Sequence, residues 1–258
     1  MSWEWALEPI AAAVLASLRV GAMLAAAPLF HNLALPPRIV ATLGLGVGWA
    51  LAPELPGGSA WQAWSGLEWG LHLLAEGTIG AAIGFGARVL FAGFEVFGEF
   101  VSIEGGLGAA QTLDPSTGAS SVVVAQTFNM FGLLVFMLID GHHELIRAVG
   151  LSFQALPLGG GLPDPEGLAS IGLLLGDALE VAIRLSGPVA ISIFVQNVAI
   201  GVMARAMPQL NLMTVQLPAH VGMLLLILGL GAEDVLHAMK DALEVWNGHV
   251  LAGLLGAG

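Results

Sequence analysis

From Ile10 to Ala27 a single side chain, Arg19, carries a charge, and from Val122 to Ile139 none does. Runs of this kind leave the backbone few choices. Where water does not reach the chain, every N–H and C=O must be bonded internally, and the helix does this within one segment. Comparable runs recur at Ile39–Ala52, at Gly77–Phe94 with Arg88 as its one charge, at Leu168–Met203 with Asp177, Glu180 and Arg184, and at Leu210–Ala232. A bilayer core takes about 20 apolar residues, so roughly five or six of these segments are of spanning length. The fold class expected is all-α: a membrane-type helical protein of long apolar helices and hairpins. Pro36 and Pro37 introduce the second run and Pro53 ends it, whereas Pro188 is expected to kink or break the fifth. Between Pro53 and Gly66 lies a Pro/Gly/Trp-rich loop. Trp61, Trp64 and the nearby Trp69 suit a membrane–water interface or a protein groove.

Composition narrows the function classes. Only 10% of the 258 residues are charged, against about 25% in soluble domains. That deficit fits a membrane protein or a subunit buried in an assembly. The chain has no cysteine, which removes disulfides, thiol catalysis and Cys-based metal sites. A net charge of -12 removes nucleic acid as a partner, and with it polybasic docking on anionic lipid. Glu4 and Glu8 precede the first apolar run, where a secretory signal carries positive charge, so this segment is read as a first mature helix. Gly44/Gly48 and Gly80/Gly84 have the spacing that lets helix backbones approach closely.

The basic residues are Arg19, Arg38, Arg88, Arg147, Arg184, Arg205 and Lys240. Arg19 and Arg88 lie inside apolar runs, so loop charge does not set the orientation. A charge at mid-bilayer costs at least about 2.5 kcal/mol on insertion scales, so these arginines are expected to face protein or a watery channel. Arg88, Glu95, Glu99, Glu104, Glu180 and Arg184 form the expected buried charge network. Glu180 and Arg184 stand at i, i+4, and Glu144 and Arg147 at i, i+3. Two readings stay open: paired structural ions in a helix bundle, or groups lining a path for ions or polymer, with Glu95, Glu99 and Glu104 as a relay.

The segment from Glu233 to Val250 is amphipathic. Val235, Leu236, Met239, Leu243, Trp246 and Val250 recur at helical spacing, with Glu233, Asp234, Lys240, Asp241 and Glu244 elsewhere on the wheel. Its acidic polar face points to a protein partner, or the helix folds back on its own core.

Asp140, His142, His143 and Glu144 resemble metal ligands, but adjacent side chains diverge by about 100° on a helix, so capping and hydrogen bonding are expected there. Gly106-Leu107-Gly108 lacks the third glycine of a dinucleotide loop, and no Walker A or G-x-S-x-G stretch occurs. The expectation is a protein that is not an enzyme and has no metal or cofactor.

The stretch from Glu104 to Ser121, EGGLGAAQTLDPSTGASS, lies between two apolar runs, and Asp114 is its only charge after Glu104. A water-exposed loop would carry more. Gly105, Gly106, Gly108 and Gly118 permit wide backbone excursions, and Asp114, Pro115 and Ser116 suit a turn at the tip.

Four stretches together resemble one family: GEFVSIEGGLGAA, TLDPSTGASS, LLVFMLIDGHHELIRAVGLSFQALPLG and VQNVAIGVMARAMPQLNLMTVQLP. The most specific pieces are Asp114 with Pro115; Gly141 and His142 with Leu145, Ile146 and Arg147; Ser152 and Phe153 followed by Leu156 and Pro157; and Pro208, Gln209, Leu210 and Asn211. This text resembles the FliR family of type III export-gate subunits, over most of the chain and on the flagellar rather than the virulence side. The alternatives are a virulence-type gate subunit, or an ion or small-molecule permease. The resemblance implies a FliP-like portion over 1–158, a linker over 159–167, and over 168–258 a FliQ-like helical hairpin with the amphipathic C-terminal helix, folding as one unit within the assembly. It implies FliP-like and FliQ-like partner subunits, a FlhB-like switch subunit and transient unfolded export substrates. The implied location is the bacterial inner membrane, in the flagellar basal body. It also implies that the loop 105–121 projects into the pore as a plug, sealing through Leu107, Leu113 and its backbone. Pro208, Gln209, Leu210 and Asn211 are implied to shape an interface turn between two helices.

Overall fold

The structure is a computed structural model and describes residues 4–28, 36–55, 61, 64–104, 130–160, 165–207 and 212–249. Apart from one 3-10 turn at Ala52–Glu54, its regular elements are α-helices: α1 (Glu4–Ala26), α2 (Pro37–Leu51), α3 (Gly66–Glu104), α4 (residues 130–138), α5 (Gly141–Ala155), α6 (Pro165–Ala206), α7 (Leu212–Leu230) and α8 (Ala232–His249). The all-α, membrane-type class expected from the apolar runs is what is observed. Among the described residues, three helices are long and apolar enough to cross a membrane, over Glu8–Ala26, Gly66–Phe100 and Leu175–Ala206. Of the other expected segments, α2 is shorter, at 15 residues, and much of the Val122–Ile139 run lies outside the described residues.

Local chemistry explains the helix ends. Pro37 at the first turn of α2 has its φ already set and needs no hydrogen bond there. The start of α3 is a capping box: the Ser65 backbone N–H donates to Glu68 Oε2 at 2.6 Å, and Ser65 Oγ accepts from the Glu68 N–H at 3.4 Å. This cap starts α3 well before the apolar run at Gly77, and it places Trp69 in the helix rather than in the preceding loop. Of the kink or break expected at Pro188, the break is not observed. α6 continues through it, as α7 continues through Pro218; apolar helices tolerate proline where neighbouring groups satisfy the freed carbonyl.

The described chain divides into two compact units. The first comprises Met1–Leu90, Asp140–Gly176 and Leu243–Gly258; the second comprises Phe91–Ile139 and Asp177–Ala242. In the first unit, α1 buries Leu15, Ala16, Val20 and Met23, the front of α3 buries Ala75, Ile79 and Ile83, and α5 buries Leu145, Val149 and Phe153. Trp246 from the end of α8 is fully buried in the same unit. In the second unit Phe91 meets Phe136 edge-on at 5.1 Å between ring centres. Ala178, Val189 and Ile193 of α6 and Val235 and Met239 of α8 complete its core. The C-terminal helix therefore buries its apolar face within its own chain, as the fold-back alternative expected.

Both small-residue pairs are contact points. A Cβ at Gly44 would overlap the backbone of Gly21, and one at Gly48 the backbone of Ser17, so α1 and α2 touch backbone to backbone. Gly80 and Gly84 do the same against Arg19 and Met23, seating α3 on α1. Gly46, two residues from each of Gly44 and Gly48, faces open space. Gly48→Ala is expected to destabilise the protein by about 1–3 kcal/mol, since α1 must move away. Gly46→Ala is expected to be neutral or to add up to about 1 kcal/mol through helix propensity. Thermal melts of the two variants in detergent compare them; equal behaviour would contradict this packing.

Candidate functional site

A guanidinium in an apolar helix must find donors' partners within the protein, because its charge is too costly to leave unpaired. Arg19 lies in the middle of α1 with no exposed surface. Its Nε donates to Glu76 Oε2 at 2.5 Å, Nη1 to Ser152 Oγ at 3.1 Å and Nη2 to the Leu156 carbonyl at 2.9 Å. The Phe153 ring lies 4.4 Å below the guanidinium carbon, which adds a cation–π contact. Glu76 Oε1 accepts from the Gly159 N–H at 3.0 Å, so both carboxylate oxygens are used. Ser152 Oγ in turn donates to the Val149 carbonyl at 2.7 Å. One ion pair thereby joins α1, α3, α5 and the turn after α5.

That turn is closed by Gly159, whose φ of 74° suits glycine, and a Cβ there would strike the Trp64 ring. Trp64 stacks on His72 with ring centres 3.8 Å apart and meets Trp69 edge-on at 5.1 Å. Trp61 is buried beside them. Of the two settings expected for these tryptophans, Trp61 occupies a groove within the protein.

The residues of the expected charge network are placed differently. Arg88, Glu95, Glu99, Glu180 and Arg184 are exposed on the isolated chain, and Glu104 is the last residue of α3. Arg184 approaches Glu180 at 3.8 Å and Asp241 of α8 at 3.8 Å; exposed pairs of this kind contribute about 0–1 kcal/mol. Arg147 lies 3.7 Å from Glu144. Among the described residues the fully buried ion pair is Arg19 with Glu76, and only its Arg19 half stood out in the sequence. The available signal for Glu76 was a carboxylate between Leu73-Leu74-Ala75 and Gly77-Thr78-Ile79, with no Lys or Arg one turn away on either side. The loop residues Gly105, Gly106, Leu107, Gly108, Leu113, Asp114, Pro115, Ser116 and Gly118 lie outside the described residues, as do Pro208, Gln209, Leu210 and Asn211. The described chain leads up to both segments: α3 ends at Glu104 before the first, and α6 and α7 flank the second.

At the α4–α5 turn the histidines depart from expectation. The His142 and His143 rings lie side by side, with centres 4.1 Å apart and planes tilted by 36°. Asp140 precedes the helix at φ 60° and makes no side-chain cap bond; its Oδ1 faces His143 Nδ1 at 3.2 Å instead. Of the capping and hydrogen bonding expected of this cluster, the side-chain hydrogen bond is observed and the side-chain cap is not.

The chain matches the family described as "Bacterial export proteins, family 1" over residues 10–245. It is similar to the flagellar biosynthetic protein FliR of Caulobacter vibrioides, with 31% identity covering 89% of this chain and 91% of that protein. Against FliR of Bacillus subtilis it is 29% identical, and the match covers 59% of this chain and 60% of that protein. The surface presentation of antigens protein SpaR of Shigella flexneri is 26% identical over 56% of each chain.

Because the Arg19–Glu76 pair is fully desolvated, Arg19→Ala and Glu76→Ala are each expected to cost about 3–5 kcal/mol. The double variant Arg19→Met with Glu76→Leu is expected to recover part of that loss, but not all, since the Gly159 N–H and the Leu156 carbonyl lose their partners. Melting of the purified variants in detergent measures this; single variants as stable as the parent would show that the pair does not hold these helices.

Proposed function

The chain belongs to the bacterial export proteins, family 1, and from that premise we propose that it is a subunit of the flagellar type III protein export gate, where it helps to form and seal the channel for unfolded flagellar proteins. The observation that carries the subunit reading is the apolar surface. On α6, Ile183 is 72% exposed, and Ile191, Phe194, Val195, Val198 and Val202 are exposed with it. On the front of α3, Leu67 is 75% exposed beside Leu71 and Leu74, and α2 adds Leu45 and Trp49. Contiguous apolar surface of this extent requires lipid or other subunits to cover it. The flagellar assignment rests on the FliR relatives, which align over more of their length than SpaR does.

In this reading the chain is a membrane protein of the flagellar apparatus, placed in the inner membrane of the basal body. Its neighbours are FliP-like and FliQ-like gate subunits and a FlhB-like switch subunit, and its role is structural rather than catalytic. The portion over 1–158 corresponds to a FliP-like segment and 168–258 to a FliQ-like hairpin with α8, the turn Pro208–Asn211 lying between the two hairpin helices. Arg88, Glu95, Glu99, Glu180 and Arg184, exposed on the chain alone, come to lie against neighbouring subunits or the channel. The loop 105–121 is the plug. With Asp114 as its single charge it offers few fixed binding points for ions and peptide, and its glycines let the backbone fold aside.

Deleting residues 106–118 tests this role. The assembled gate is expected to retain its subunits and to conduct ions measurably more than the parent in planar bilayers. Unchanged conductance in a correctly assembled gate would remove the plug role.

A further inference from the structure

We propose that Asp140, His142 and His143 form a binding site for a divalent cation of the zinc class at the start of α5. One ligand atom from each of the three residues lies within 4.8 Å of the other two. The arrangement arises locally. Asp140 adopts a left-handed conformation, so its carboxylate does not cap the helix and instead meets His143 Nδ1 at 3.2 Å. The rings of His142 and His143 then lie alongside one another rather than diverging. His142 Nδ1 supplies a second, independent observation: it is buried and has no hydrogen-bond partner. A buried polar atom without a partner is rare and calls for an ion, a water or a role.

Two imidazole nitrogens and one carboxylate oxygen select borderline metals such as Zn²⁺ or Ni²⁺ over Mg²⁺ and Ca²⁺, which prefer all-oxygen shells. Three protein donors leave a fourth position of a tetrahedral ion for water or for a donor from another chain. A helix N-terminus opposes a cation with its partial positive charge, and the Asp140 carboxylate offsets this. The site lies on a turn, and two of its three residues have largely exposed side chains, Asp140 at 71% and His143 at 67%, while His142 is half-buried. An ion there is accessible from solvent, and it ties the turn to the first turn of α5 without any catalytic role.

The test uses the untagged full-length protein in detergent, stripped with chelator and titrated with Zn²⁺ by calorimetry. Saturation at one equivalent is expected, with Mg²⁺ producing no heat of binding. Asp140→Asn and His143→Ala are each expected to weaken Zn²⁺ binding by at least about tenfold, while both variants melt like the stripped parent, because these side chains are exposed. His142→Ala is expected to abolish the binding. His237→Ala, remote in sequence, is expected to leave it unchanged. No saturable binding, or binding that survives in Asp140→Asn and His143→Ala together, would overturn the site.

Discussion

The first unit depends on one buried ion pair. Arg19 cannot sit in α1 unless Glu76 of α3, Ser152 of α5 and the Leu156 carbonyl converge on it. That convergence fixes how the three helices meet. It also requires close backbone approach, which Gly80 supplies by leaving no Cβ against the Arg19 carbonyl. The carboxylate's second oxygen holds the Gly159 N–H, and Gly159 in turn leaves room for the Trp64 ring. Charge, small residues and aromatic packing are thus linked around one side chain. Breaking such a pair costs more than the pair contributes, because the orphaned charge stays buried. It therefore specifies arrangement more than it adds stability.

The outer surface obeys the opposite logic. α2, the front of α3 and α6 carry large apolar side chains outward, while the exposed ion pairs, such as Arg184 with Glu180, are weak. A chain built this way buries its strongest polar contact inside and leaves its surface to be covered by neighbours or lipid. That division suits a subunit of a larger membrane assembly, as expected of a bacterial export protein, more than a freely diffusing domain.

The apolar runs made the helices legible, since only a helix satisfies the backbone of Ile10–Ala27 or Leu168–Met203 within one segment without water. The helix limits were less so. Hydrophobicity placed the start of a helix near Gly77, whereas the Ser65–Glu68 capping box starts it at Gly66. Pro188 reads as a breaker by local rules, yet the helix continues through it. Arg19 was legible as a buried charge because of its apolar context, but its partner was not: Glu76 is distant in sequence, and only tertiary packing brings the two together. The side-by-side rings of His142 and His143 depend on the left-handed φ of Asp140, which the residue type alone does not reveal. The loop 105–121 and the turn Pro208–Asn211 lie outside the described residues, so their roles rest on sequence and family.

The central claim is that this chain is one subunit of a hetero-oligomeric export gate. Native mass spectrometry of the tagged chain, co-expressed with FliP-like and FliQ-like proteins from the same cell, tests it most directly. The account predicts a mixed complex containing a single copy of this chain. A stable homo-oligomer that excludes both partners would contradict it.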